Sequence, residues 1–251
     1  MPEPREPGRP FLAAEWRYLL MLNYVVAPEL LRPFVPAGTV PDQWRGRTWL
    51  SLVGFRFLHT RILGAPIPFH RHFPEINLRF YVRSVRDPRR AVVFLREIVP
   101  RRAIAATARL LYNEPYIARP MRARAPMAPQ DSPPPIEYAW RHAGRWHRLG
   151  ATPSGPSEPI RAGSDEEFIA EHYVGYTRQR DGGTIAYEVR HPRWRVWPVK
   201  DVTCDVDFVG EFGSVGAAIT GPPDSAFLAD GSTVTVGWPR RLAPAFAGVT
   251  G

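Results

Sequence analysis

The chain has one cysteine, Cys204, in 251 residues. A lone thiol forms no intrachain disulfide and cannot build a cysteine zinc site. Its neighbours in Thr203-Cys204-Asp205-Val206-Asp207 are acids, which favour the thiol over the nucleophilic thiolate, so it reads as a core residue. Lysine is equally scarce. Lys200 is the only one, and arginine supplies the rest of the 33 basic residues. The formal charge of +9 therefore comes from arginines scattered along the chain. A nucleic-acid binder gathers its basic residues into a stripe or a known motif, and neither is present. No apolar run approaches the eighteen residues of a membrane span. Met1 to Pro10 is charged and proline-rich, with no apolar stretch behind it, unlike a secretory signal. A cytoplasmic protein with neither nucleic acid nor membrane as partner is expected. The G-x-S-x-G elbow, the P-loop and G-x-G-x-x-G are all missing, which removes the common nucleophile and nucleotide signatures.

What is present suits a β-rich fold. Hydrophobic residues make up 44% and aromatics 12%, enough for a substantial core, and 29 prolines with 20 glycines punctuate many short strands. The stretch Phe73 to Arg83 alternates strictly. Ile76, Leu78, Phe80 and Val82 fall on one face; Glu75, Asn77, Arg79, Tyr81 and Arg83 fall on the other. In a strand the second set forms a row with neighbours about 6–7 Å apart. A carboxylate, an amide, a guanidinium and a phenol in one row suit a cavity that holds an anionic or carbonyl-bearing ligand. The same pattern also fits a strand whose polar side meets water.

Other elements follow from period and punctuation. Trp16–Val26 and Thr48–Phe57 read as strands, the latter apolar on both faces and so central. Pro28 opens a short helix. Asp87 to Arg90 turns into a strand over Ala91–Ile98. Pro100–Leu111, rich in alanine, reads as a helix packed through its small faces and stopped by Pro115. Residues 120–135 read as an exposed loop or weak edge strand, Ile136–Arg148 as a hairpin turning at Ala143-Gly144, and Ser157–Ile160 as an edge strand. Ser164 caps a helix reaching about Tyr173, with Glu167 at the capping-box position. Thr184–Arg190, Cys204–Phe208 and Thr233–Val236 complete the strands. One domain over residues 15–242 is expected, between tails at 1–14 and 243–251.

His70-Arg71-His72 followed by Glu75 has the look of a metal-ligand set, since imidazoles two apart in a strand share a side. Histidines near a turn are commonly surface groups, and no metal or cofactor is expected.

Several blocks resemble the DUF2071 (YqjF-like) family of the acetoacetate decarboxylase-like superfamily. They are Leu22-Asn23-Tyr24, Trp49 to Phe55, Phe73 to Val82, Ala108 to Tyr116, Glu171 to Tyr176 and His191 to Trp194, in order over most of residues 16–238. The resemblance implies a β-rich α+β fold, a curved, incomplete β-barrel with a central cavity and a few short helices. The alternating strand would form one wall of that cavity. Acetoacetate decarboxylase works through a lysine Schiff base, its amine activated by a cationic neighbour. In the segment resembling that lysine pair, this chain has Tyr116 and Ile117, and neither forms an imine. Lys200, beside Asp201, matches no such motif.

The resemblance places Glu75 at the family carboxylate near the reacting centre. Arg79 and Arg109 are candidates to clamp a carboxylate bidentately; the alternative is an internal ion-pair network with Glu75. Tyr24, Tyr81, Tyr116 and His172 either donate hydrogen bonds to a ligand or are core aromatics with satisfied tips. The resulting expectation is a cavity for a small organic acid or carbonyl compound. Glu75 and Tyr116 are its catalytic candidates, and Asn77, Arg79, Tyr81, Arg109 and His172 its binding candidates. Acid–base, lyase-type chemistry without a Schiff base is one reading, and a non-catalytic binding or sensing module the other. A closed core without a ligand is a third. A homo-oligomer is compatible with all three.

Overall fold

A computed structural model describes residues 9–86 and 89–242. The main strands are β1 (Leu12–Val26), β2 (Thr48–Ile62), β3 (Phe73–Ser84), β4 (Arg90–Val99), β5 (Ile136–His142), β6 (Arg145–Pro153), β7 (Val174–Arg178), β8 (Thr184–Arg190), β9 (Arg195–Asp205) and β10 (Ser225–Val236). Three helices matter to the argument: α1 (Arg102–Tyr112), α2 (Asp165–Ala170) and α3 (Phe208–Phe212).

The strands run β8-β7-β4-β3-β2-β1-β10-β9-β6-β5 in one sheet. It curves far enough for β8 to pair with β10 at Val189–Val236 and Arg190–Thr235. On the same side, β7 meets β4 through the single pair Gly175–Val92. Long antiparallel ladders hold the opposite side, where β1 and β2 pair from Leu12–Ile62 to Val26–Thr48. The result is a curved, incomplete barrel, strongly zipped along one wall and thinly joined along the other.

Strand β3 shows why two buried layers form. Its even set, Ile76, Leu78, Phe80 and Val82, packs with Leu50 and Leu52 of β2 against Tyr138 and Trp140 of β5. Its odd set faces the interior, where Phe73 and Tyr81 join Trp49, Phe55, Phe57 and Phe168. Strands β5 and β6 thus cover the outer face of the wall. Gly54 permits that approach, since a Cβ there would lie 2.6 Å from the Tyr138 ring.

Four details depart from the sequence reading. Strand β1 starts at Leu12, so the ordered domain reaches three residues into the expected tail. Helix α2 ends at Ala170, where Glu171 leaves helical geometry, well short of Tyr173. Strand β9 spans Arg195–Asp205; Phe208, read as strand, starts α3 instead, because the Asp207 carboxylate accepts the Gly210 N–H at 2.9 Å and caps a helix. Helix α1 packs loosely, with Leu110 84% exposed and Ala105 its one buried alanine. The turn at Asp87-Pro88 and the tail at 243–251 lie outside the described residues.

Candidate functional site

The interior of the barrel holds a cavity of about 200 Å³. Its walls come from β1 (Trp16, Leu19), β2 (Phe55, Phe57, Thr60), β3 (Phe73, Glu75, Asn77, Arg79), β4 (Val92, Phe94, Glu97) and β8 (Tyr187, Val189). Ala103, Ile104, Thr107 and Ala108 of α1 lie across it, and His172, His191 and Trp194 border it from the chain after α2 and β8. Most of the lining is aromatic or aliphatic, and the polar groups gather in two places.

The first is an acid corner built by strand register. Asn77 of β3 lies opposite Glu97 of β4, and Glu97 lies beside Tyr116 in the short parallel strand Tyr116–Ala118. Neighbouring strands sit about 4.8 Å apart, so these three side chains form a row across the sheet. The Tyr116 hydroxyl donates to Glu75 Oε2 at 3.1 Å, and Asn77 Nδ2 reaches Glu75 Oε1 at 3.5 Å. Glu114, in the loop that follows α1, accepts from Tyr187 at 2.8 Å and from the Thr177 hydroxyl. Gly175, paired with Tyr187, leaves room for that phenol; a Cβ there would meet its ring at 2.3 Å.

Glu75, Glu97 and Glu114 are each at most 5% exposed. Burial penalises their charged forms, and the carboxylates repel one another, so protons are retained well above the usual carboxylate range. Glu75 is pushed up to about 8, chiefly by burial, against the lowering effect of Asn77 and Tyr116. Glu114 rises to about 7 for the same primary reason, opposed by Thr177 and Tyr187. Glu97 is raised by burial, then by Glu114 and Glu75. Burial and the adjacent acids also raise the Tyr116 and Tyr187 phenols. Near neutrality this corner is a set of carboxylic acids that share protons, able both to donate and to accept.

The second place is Arg79 with His172. Arg79 donates from Nη2 to the Ile169 carbonyl at 3.1 Å, while its buried Nε has no partner. Both ring nitrogens of His172 are also without partners. Burial, then Arg79 and Arg90, hold this imidazole well below its ordinary value, so it stays neutral.

The structure brings Glu75, Asn77, Arg79, Tyr116 and His172 to one cavity. Tyr81 stands behind it: its hydroxyl bonds Ser51 at 2.7 Å and its ring packs 4.8 Å from His172. Tyr24 lies in the outer layer, with its hydroxyl at Cys204 Sγ. Arg109 is exposed on α1 and does not border the cavity, so the reading of a clamp at that residue meets a side chain in solvent. Among the described residues Arg79 donates to the Ile169 carbonyl and forms no ion pair with Glu75, contrary to the ion-pair alternative. Lys200 is exposed on β9 and lines no part of the cavity. Sequence reasoning did not single out Glu97, Glu114 or Tyr187. The signal available was a glutamate, beside Arg96, in the run Ala91–Ile98 that is apolar everywhere else.

Among the described residues, His70, His72 and Glu75 do not form a ligand set. His72 is exposed and its ring meets His59 at 4.9 Å, whereas Glu75 is buried. A different trio, His142, His147 and Glu211, has ligand atoms within 4.8 Å of one another in the outer layer. There Glu211 already has Arg96 at 3.4 Å, Arg119 at 3.7 Å, His142 at 3.0 Å and the Trp140 indole at 3.0 Å. Two guanidiniums on one carboxylate make this a buried ion-pair network and oppose a metal cation.

The model of the family DUF2071, described as "uncharacterized conserved protein", matches residues 13–233. YqjF of Bacillus subtilis is 27% identical over 184 residues, 71% of this chain and 72% of that protein. Three solved structures share the fold. The enduracididine biosynthesis enzyme MppR complexed with pyruvate is 14% identical, with a TM-score of 0.66 over 96% of this chain and 94% of that one. Acetoacetate decarboxylase from Legionella pneumophila is 12% identical, with 0.65 over 98% and 94%. An acetoacetate decarboxylase-like enzyme from Sphingomonas wittichii RW1 is 13% identical, with 0.66 over 93% and 94%.

Proposed function

Since the chain belongs to the DUF2071 family and has the acetoacetate decarboxylase-like fold, we propose that its cavity binds a small organic acid or carbonyl compound. The observation that carries the reading is that Arg79, its buried Nε without a partner, and Glu75, its carboxyl pushed up to about 8, line one mostly apolar cavity. A guanidinium orients a carboxylate or carbonyl oxygen. Asn77 lies midway between Arg79 and Glu75 on the same strand face, so a ligand held at Arg79 extends along the row toward Glu75. Pyruvate bound to MppR is in keeping with a ligand of this class.

As an enzyme, the protein would use Glu75 as a general acid or base. Its value of about 8 leaves both protonation states accessible near neutrality, and Tyr116 steers the carboxyl through its 3.1 Å hydrogen bond. A lysine imine has no part in this reading, because the chain's one lysine stands outside the cavity. That same lack of a covalent nucleophile favours the second reading, a binding or sensing module in which the ligand is held without turnover.

The test is a thermal-shift screen with small carboxylic acids and carbonyl compounds on the wild type, Arg79→Ala and Glu75→Gln. A stabilisation lost in Arg79→Ala supports the cavity reading, and one unchanged in both variants moves the ligand elsewhere. Product analysis on the best binder separates the two readings. Borohydride trapping with a keto acid that labelled Lys200 would overturn the exclusion of imine chemistry.

A further inference from the structure

Of the residues that line the cavity, only Ala103 and Thr107 are exposed, so the chamber opens beside helix α1. The other lip of this mouth is the loop after β2, which contributes Ile67 and His70 to the lining. The lips meet at Phe11. Its carbonyl accepts the Leu63 N–H at 2.9 Å, and its ring packs 5.4 Å from Tyr112 and 5.1 Å from Trp238. Among the described residues, the two most exposed large apolar side chains stand on these lips: Phe69, 90% exposed on the loop, and Leu110, 84% exposed on α1. Leu63 and Trp238 beside them are also exposed. Phe69 has φ 62°, a backbone conformation costly for an aromatic residue, and a ring in solvent has little packing to offset that cost.

The same segments carry one sign of charge. No Asp or Glu lies between Asp42 and Glu75, between Glu97 and Glu114, or between Asp230 and Leu242. Glu75, Glu97 and Glu114 are themselves buried in the chamber. Arg61 and Arg71 stand on the loop lip, Arg101, Arg102 and Arg109 on the helix lip and Arg240 near Trp238, all of them exposed. Among the described residues none of these six belongs to an ion pair, whereas Arg241 pairs with Asp181. Apolar tips set among exposed arginines suit the headgroup region of an anionic bilayer, where rings enter the acyl boundary and guanidiniums reach lipid phosphates. A second copy of the chain would bring arginines against arginines. We propose that the rim of Phe69, Leu110, Leu63 and Trp238 docks on an anionic membrane surface, with the mouth of the cavity turned toward the lipid. The expectation of no membrane partner rested on the lack of a spanning segment, which bears on insertion and not on surface contact.

Co-sedimentation of the full chain with vesicles tests this, comparing pure phosphatidylcholine with an equal mixture of phosphatidylcholine and phosphatidylglycerol. Binding to the mixed vesicles should be at least roughly tenfold tighter than to phosphatidylcholine alone and should fall with added salt. Phe69→Ser and Leu110→Ser should each weaken it about tenfold, and Arg102→Gln and Arg109→Gln about fivefold each. Two controls should leave it unchanged: Val209→Ser, at an exposed side chain of α3, and Arg141→Gln, which removes the same charge from β5. Melting by circular dichroism checks that each variant is folded. If Arg141→Gln weakens binding as much as Arg102→Gln, overall charge explains it and the inference is overturned. Full binding by Phe69→Ser/Leu110→Ser, equal binding to both vesicle types, or binding to neither also overturns it. In the last case, a dimer seen by sedimentation velocity assigns the rim to a second copy instead. Vesicle binding needs no occupant in the cavity, so this inference and the cavity reading stand or fall separately.

Discussion

Glu75 keeps its proton because every route to stabilising its anion is weak: a tyrosine, a long contact from an amide, and no cation. The consequence for stability has a definite sign. A carboxyl raised in the folded state binds protons that the unfolded chain has already lost, so stability falls as pH rises from the ordinary value of 4.5. The fall runs through about 7 for Glu114 and about 8 for Glu75. His172 acts in the opposite direction, because its lowered value costs stability as pH falls below 6.5. His72, His147 and His191 are lowered as well, and all four imidazoles act below 6.5, so above that value the acids decide and the melting temperature should drop between pH 6.5 and pH 8.5. Glu75→Gln/Glu114→Gln should flatten that drop, and a melting series by circular dichroism reads it. Tyr116→Phe should cost about 1 kcal/mol through the lost hydrogen bond and push Glu75 higher still, seen by denaturant titration and carboxyl ¹³C NMR. Alternation made Glu75, Asn77 and Arg79 legible as one face of a strand. Glu97 was hidden because the β3–β4 ladder slips between Leu78 and Arg79, and a bulge shifts which residues stand opposite.

Helix α2 was legible at its start, where Ser164 accepts the Glu167 N–H at 3.2 Å. Glu167 reaches the N–H of Gly163 instead of closing a reciprocal box with Ser164. Ser164→Ala should therefore cost about 1 kcal/mol, read by equilibrium unfolding. A harsher element is the kink in β1. The ladder to β2 slips between Arg17 and Leu20, Tyr18 takes φ 55°, and Gly231 of β10 answers with φ 76°. A Cβ on Gly231 would meet the Trp16 carbonyl oxygen at 2.0 Å. Backbone cannot yield as a side-chain tip does, so Gly231→Ala should destabilise by about 3 kcal/mol or more, measured in urea. Nothing in the β1 run Trp16–Val26 announces this irregularity, since its apolar pattern fits an unbroken strand.

At the scale of the molecule, neighbours in sequence also pair in space along β3-β4 and β5-β6, which is why those hairpins were readable. The curvature that returns β8 to β10 rests on two residue pairs far apart in sequence, and local pattern carries no trace of them. Such a thin seam opens more easily than a long ladder. Amides of β7 and β8 should exchange hydrogen for deuterium faster than those of β1 and β2, with mass spectrometry as the readout. The solitary exposed amine on β9 has a practical corollary. Apart from the chain terminus, amine-directed reagents find a single anchoring point, on a residue that lines no part of the cavity.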